Sequence, residues 1–325
     1  MIIGGRMKIR ILSGKEVREA LPMKEAIEVM ANAFGQLSRG NAEVPLRGKL
    51  ATEEGVTLLM SAYLKQRKEF GIKIVSIYEK NPDLGLPVVS AVVLVLDPQT
   101  GFPKALMDGS TLTAIRTGAG GGLAARLLSR EDSKIVALFG AGVQARAQLE
   151  ALVAVRRIAE VRILSRTRES AKRFADEIAA WPNPVKAVLA ENPKKAVSGA
   201  DIVITATTSS TPLFNGNDLK TGAHVTGVGS FMPTTREVDE TTVRRAYVVA
   251  DSREACLVEA GDIIIPNACI DAEIGEIVNG GKPGRTSPDQ ITFFKSVGVA
   301  VQDAAAAAAA LLNAEKKGVG TVITL

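Results

Sequence analysis

The 325-residue chain contains one histidine, two cysteines and one tryptophan, and aromatic residues make up only 4% of it. A single histidine removes the His-containing triads and His clusters on which many hydrolases and metal sites depend. Proton chemistry then falls to Lys, Asp, Glu, Tyr or water, and no metal site is expected. The histidine itself, His224, opens the apolar run HVTGVGS and reads as a structural residue at a strand start. Cys256 and Cys269 are too few for a disulfide framework or a four-cysteine zinc site, and they fit a reducing cytoplasm. Cys256 reads as a small buried residue rather than a nucleophile. No apolar run approaches the roughly 20 residues that cross a bilayer; the longest, VVSAVVLVL, is too short. The opening MIIGGRMKIRILSG has neither a long apolar core nor a small-residue cleavage site, so it is not read as a signal peptide, and Met7 is an alternative start. The expectation is a soluble, cytoplasmic protein with no membrane contact.

Forty Lys and Arg against 35 Asp and Glu give a net charge of +5, but the basic residues are scattered among acids rather than gathered in one tract. No nucleic-acid partner is expected; a small anionic molecule suits this balance better.

What the chain does have is a change of texture. From Lys134 onward, apolar strands alternate with helical stretches: KIVALFG, EVRILS, PVKAVLA, DIVITAT, HVTGVGS and AYVVADS. Six strands at this rhythm predict a Rossmann-type doubly wound parallel sheet. Earlier residues predict one helix, PMKEAIEVMANAFGQLSRG, and then strand-like runs, two of them joined as a hairpin by DPQTGFPKALMDG. This is an antiparallel-rich α+β pattern. The segment STLTAIRTGAGGGLAARLLSR should link the two parts. The C-terminal stretch carries seven consecutive alanines in a helical context and is expected to pack back on the first part. The expected fold is therefore α/β. Residues 118–305 form the dinucleotide-binding domain, and residues 1–117 with 306–325 form a substrate-binding and dimerisation domain.

Within the second domain, VALFGAGVQARAQLEAL carries Gly140, Gly142 and Ala145 in the spacing G-x-G-x-x-A, after a buried-strand run and before a helix without proline. That context is what a dinucleotide turn requires. At the end of the next strand, ILSRTRES places Ser165, Arg166 and Thr167 where an NAD-binding protein usually has a carboxylate for the ribose 2′-hydroxyl. A guanidinium and two hydroxyls suit a 2′-phosphate, so NADP(H) is the preferred cofactor and NAD(H) the alternative.

Several segments together resemble the ornithine cyclodeaminase and mu-crystallin family over nearly the whole chain. They are VPLRGKL at Val44, GIKIVSIYEKNP at Gly71, STLTAIRTGAGGGLAARLLS at Ser110, FGAGVQA at Phe139, and GEIVNGGKPGRTSPDQITFFKSVGVAVQDAA from Gly275. The resemblance implies a homodimer built through the N-terminal domain and C-terminal helix, with an active site in the cleft between the domains. It also implies a substrate that is an α-amino or α-imino acid. The positions matching the family's substrate-binding basic residues are Arg47, Lys73 and Arg116. Two Arg and one Lys can meet a carboxylate with charge-assisted hydrogen bonds. Lys73, on an otherwise apolar strand, is the expected acid/base, since burial and neighbouring cations lower its pKa.

Arg116 and Thr117 are also expected to approach the cofactor, because the glycines after them read as the start of a helix open to phosphates. The cofactor set further includes Val143 and Gln144 after the glycine turn, and Thr205 and Thr207 after DIVITA. The resemblance places the loop Gly227, Val228 and Gly229 under the nicotinamide and Ser296 near its amide. Cyclodeaminases carry an aspartate two residues before the proline of that loop, and here the position is Phe231. A phenyl ring cannot pair with the side-chain ammonium of ornithine. Phe231 is expected to line a site for an apolar side chain or ring. The expected function is an NADP(H)-preferring oxidoreductase acting on a cyclic ketimine such as Δ1-pyrroline-2-carboxylate, or an alanine dehydrogenase. The alternatives are an ornithine cyclodeaminase using bound NAD and, from another class, a nucleotide-regulated binding protein.

Overall fold

The computed structural model describes residues 7–324, and the first six residues of the stretch read above for a leader lie outside it. The chain divides into one unit of Met1–Arg116 with Val299–Leu325 and another of Thr117–Gly298. The return to the first unit falls at Val299 rather than at residue 306. The reason is that the helix Ala300–Lys317 is one continuous piece and packs along the first unit's sheet. Among the described residues, no helix is long and apolar enough to cross a membrane.

In the first unit, burial alternates along Val56–Leu64, so that Met60, Ala62 and Leu64 face inward. The sheet runs in the order Thr321–Thr324, Lys8–Leu12, Pro103–Asp108, Val89–Leu96, Glu69–Ile77, Val56–Leu64 and Ala42–Glu43, with Gly48–Ala51 also paired to Val56–Leu64. Every pairing is antiparallel except that of Lys8–Leu12 with Pro103–Asp108. The expected hairpin is present. Its turn is held by Asp97, whose carboxylate accepts from the backbone N–H groups of Gln99 and Thr100, and Gly101 takes the left-handed φ of 74°.

One face of this sheet packs on the helices Met23–Ser38 and Ala300–Lys317. Met60, Lys73 and Val93 lie side by side on it, in register across three strands. Ala304, Ala305, Ala306, Ala307, Ala310 and Ala314 are buried within the unit. The alanine run therefore lets a helix lie close on its own sheet, and it does not by itself argue for a second subunit.

In the second unit every sheet pairing is parallel. The order is Lys186–Leu189, Glu160–Leu164, Ile135–Phe139, Ile202–Thr205, His224–Gly227, Ile291–Lys295, Ala246–Ala250 and Ala272–Glu273. Two of these eight strands go beyond the six read from sequence. Ile291–Lys295 is the important one: all five residues are buried, and it lies between the His224 and Ala246 strands.

The glycines after Arg116 do not start a helix. They lie inside Gly109–Leu128, whose internal hydrogen bonds occupy their N–H groups. Their role is close packing: a Cβ on Gly118 would meet the Ala147 carbonyl oxygen at 2.5 Å, and one on Gly121 the Gln148 side chain at 1.8 Å. His224 is buried between Thr292 and Thr226, at 2.9 and 3.0 Å, and burial lowers its pKa to about 3. It is a neutral structural residue, as its position in the sequence suggested.

Candidate active site

Lys73 lies on the inward face of Glu69–Ile77 and is 2% exposed. A buried ammonium needs a counter-ion. It has one in Asp303, whose Oδ2 is 2.8 Å from Lys73 Nζ. The other carboxylate oxygen accepts from Arg116 Nε at 3.0 Å. Arg116 Nη1 donates to Gln302 Oε1 at 3.0 Å, and that same oxygen takes the Val299 N–H at the start of the helix. Burial, and then the Arg116 cation, pull the Lys73 pKa down to about 8, against the opposing pull of Asp303; Arg47 lowers it further. The first unit thus brings Arg47 and Arg116 within electrostatic reach of Lys73. Two Arg116 nitrogens, Nε and Nη1, are engaged by Asp303 and Gln302.

The second unit carries the glycine turn between the strand Ile135–Phe139 and the helix Val143–Val155. Gly140 has φ 107°, and a Cβ there would come 2.4 Å from the Ala206 carbonyl oxygen, so only glycine fits. At Gly142 nothing lies within 4 Å of such a Cβ. Val143 is exposed, no acid stands in the helix's first turn, and Gln144 Oε1 is buried with no hydrogen-bond partner among the described residues. Open space, free N-terminal amides and an orphaned acceptor fit a dinucleotide's pyrophosphate and its hydroxyls. At the next strand end, Arg166 is exposed. Ser165 bonds to Ser170, and Thr167 caps the helix Arg168–Ala179.

Thr117 lies inside the helix Gly109–Leu128, whereas the other remaining cofactor candidates lie at the carboxyl ends of neighbouring strands and are tied together by buried acids. Glu237 accepts from the Thr207 N–H and hydroxyl, both at 2.7 Å, and from the Gly229 N–H at 2.8 Å. It thereby joins the loops after Ile202–Thr205 and His224–Gly227. Gly229 must be glycine, since a Cβ would stand 2.5 Å from the Glu237 carboxylate. Asp251 Oδ2 accepts from the Ser296 hydroxyl and from the N–H groups of Val297 and Gly298, so the Ser296 hydrogen is already committed. Cys256 donates to Asp251 at 3.4 Å, and burial pushes its thiol pKa well up, which makes it inert. Thr205 is fully buried, Thr117, Val228 and Thr207 are half-buried, and Phe231 is 43% exposed.

Residues 7–318 match the ornithine cyclodeaminase/mu-crystallin family. The chain belongs to that family. It is 38% identical to a Δ1-pyrroline-2-carboxylate reductase of Bacillus cereus, an alignment covering 96% of this chain and 99% of the relative. Among solved structures it resembles Thermococcus litoralis Δ1-pyrroline-2-carboxylate reductase in complex with NADH and L-proline. That TM-score is 0.90 at 41% identity, covering 96% of this chain and 99% of the other. It also resembles an archaeal alanine dehydrogenase dimer with bound NAD, with TM-score 0.91 and 33% identity, over 98% and 99% of the two chains.

For this family member, sequence reasoning missed Asp303 and the buried set Glu237, Asp251, Asp262 and Lys295. Lys295 Nζ lies 2.7 Å from Asp262 Oδ2 and donates to the Ser230 carbonyl oxygen at 2.6 Å, with both side chains fully enclosed. A signal was available for each of the two ion pairs. Asp303 is the lone acid at the head of the alanine run, and Lys295 the lone charge in ITFFK.

Proposed function

We propose that this protein is an NADP(H)-preferring oxidoreductase that reduces α-imino acids. A cyclic ketimine such as Δ1-pyrroline-2-carboxylate is its first substrate, and the alanine/pyruvate pair is the next. The observation that carries this reading is the buried cluster of Lys73, Arg116 and Asp303 with Arg47 acting on it. Such a cluster is suited to a carboxylate next to a nitrogen that must gain or lose a proton. The similarity to Δ1-pyrroline-2-carboxylate reductases supports the substrate class.

Arg47 and Arg116 would hold the substrate carboxylate, fixing the imine in near-attack geometry. A nicotinamide, when bound, supplies the hydride that adds to the imine carbon. Lys73 Nζ, in its ammonium form, gives its proton to the imine nitrogen, so C=N becomes CH–NH and the lysine is left neutral. A pKa of about 8 suits that task, because the ammonium is populated at neutral pH yet acidic enough to give up its proton. Gly140, Gly142, Gln144 and the amides of the Val143–Val155 helix would hold the pyrophosphate, and Ser165, Arg166 and Thr167 the 2′-phosphate. Thr207, Gly227, Val228, Gly229 and Ser296 would border the nicotinamide.

The assembly is a homodimer through the first unit's sheet. Its outer face carries Leu59, Ile74 and Val92 in one cross-strand row, at 45%, 39% and 40% exposure. The opposite face is already covered by the alanine helix.

The test follows NADPH and NADH separately with Δ1-pyrroline-2-carboxylate, with pyruvate plus ammonia, and with ornithine. Oxidation of NADPH by the cyclic imine ahead of every other pair is the expected result. No turnover with any imine would refute the assignment.

A further inference from the structure

The family reading gives the three basic residues a task, but it leaves one buried acid among them without one. Asp303 stands in the first turn of Ala300–Lys317 and is 1% exposed. Its two oxygens divide between two partners of different duty: Oδ2 on Lys73 Nζ at 2.8 Å and Oδ1 on Arg116 Nε at 3.0 Å. One carboxylate thus spans the proton donor and a receptor of the substrate's carboxylate. It can do so because its helix is seated closely at this point. The next residue, Ala304, has its Cα where a side chain on Gly71 would have to go. The preceding residue, Gln302, is bonded to Arg116 and to the Val299 N–H.

The charges facing Lys73 are Arg116, Arg47 and Asp303. Two of them repel its proton, as does burial, and only the carboxylate retains it. Without Asp303, Lys73 would lose its proton at lower pH, and a smaller share of the protein would carry the acid when substrate arrived.

We propose that Asp303 is a positioning residue of the reaction, which keeps Lys73 protonated and aimed and at the same time fixes the guanidinium of Arg116. It touches neither substrate nor cofactor in this account and acts through the two cations. The proposal rests on the reading that Lys73 gives the proton, and the experiment below separates the two.

The kcat of imine reduction is measured against pH for the wild type, Asp303→Asn, Lys73→Met and the double variant, with folding followed by thermal melts. In the wild type the rate should fall as pH rises through about 8, where Lys73 loses its proton. Asparagine preserves the shape and an acceptor for Arg116 but removes the charge, so the alkaline limb should move to lower pH by about one to two units. For a shift of one unit this costs about five-fold in rate at pH 8 and much less at pH 6. A structural defect alone would lower the rate at every pH and leave the limb in place, and an unmoved limb in folded Asp303→Asn overturns the proposal.

Lys73→Met should abolish the limb, and adding Asp303→Asn to it should cost little more, because the acid acts through the lysine. If Lys73→Met kept both its rate and the limb, the acid assignment would fall and this proposal with it. If only the limb of Asp303→Asn stayed fixed, this proposal alone would fall. Should Asp303→Asn not fold, Asp303→Glu decides: the retained charge keeps the limb near its wild-type position while the displaced carboxylate lowers kcat. An unchanged kcat, or a limb displaced downward, overturns the inference.

Discussion

Gly71 and Ala304 share a space that admits no further atom: a Cβ on Gly71 would come 2.8 Å from the Cα of Ala304. The contact sits beside the cluster, since Lys73 follows Gly71 on the same inward face and Asp303 precedes Ala304. Backbone on the helix side cannot yield as a flexible side chain would. Gly71→Ala should therefore cost about 1 to 3 kcal/mol of stability. It should also lower kcat, because the helix must lift where it holds Asp303 against Lys73. A thermal melt and a kcat measurement check this together, and a variant with unchanged melting temperature would show that the helix can give way.

Glu69, at the start of the same strand, is a group with a clear pH consequence for folding. Burial raises its pKa to about 7, and its Oε2 has no hydrogen-bond partner among the described residues. The folded chain then holds this proton more tightly than the unfolded chain does. Stability should fall as pH rises from the ordinary glutamate range toward 7, and it should not recover above that. Glu69→Gln removes the dependence. The variant should match the wild type near pH 4 and exceed it at pH 8 by up to about 3 kcal/mol. Denaturant titrations at the two pH values test this; equal stability differences at both would contradict it.

The parallel sheet and the glycine turn were legible in sequence because each depends on local pattern: apolar strands at regular spacing, and a glycine whose left-handed φ nothing else adopts cheaply. Lys73 was legible as well, since a charge in an apolar strand has a cost. Its partner was not, because Asp303 lies far along the chain and only tertiary packing joins them. Ile291–Lys295 went unread for a related reason. A five-residue buried run has no periodicity of its own, and its position between strands that precede it in sequence is a matter of topology. The glycines near Arg116 misled in the opposite way, since small residues at a helix–helix contact and at an open phosphate turn look alike in sequence.

Arg166 tests the cofactor preference. It is exposed at the end of Glu160–Leu164, and no carboxylate precedes Glu169 in that corner. The loss of one charge-assisted hydrogen bond costs on the order of 1.5 to 3 kcal/mol. Arg166→Ala should raise the KM for NADPH at least ten-fold and leave that for NADH nearly unchanged. A wild type more efficient with NADH would contradict the preference outright.

Ile74 lies at the middle of the outer row, between Leu59 and Val92. If two sheets meet there, Ile74→Asp places an unpaired carboxylate in an apolar interface at a cost of several kcal/mol. Light scattering at micromolar concentration should give a dimer for the wild type and a monomer for the variant. A monomeric wild type would exclude the interface.

Phe231 is the residue by which the proposed imine reduction can be told from ornithine cyclisation. Its loop is pinned at Ser230, whose hydroxyl donates to the Thr235 carbonyl oxygen and whose own carbonyl accepts from Lys295. Phe231 itself remains exposed beside the exposed Met232. The resemblance to cyclodeaminases implies a carboxylate here to receive the side-chain ammonium of ornithine, and a phenyl ring offers neither charge nor a proton acceptor. The wild type should accordingly turn over cyclic or apolar imino acids and leave ornithine intact. Phe231→Asp should raise the KM for the cyclic imine, since an ionised side chain would replace apolar contact and face no partner on that substrate. Incubating wild-type protein with ornithine and catalytic NAD, and assaying ammonia and proline, gives the direct answer. Ammonia released as fast as the best imine is reduced would make the protein a cyclodeaminase, and Phe231 would then have no part in choosing the substrate.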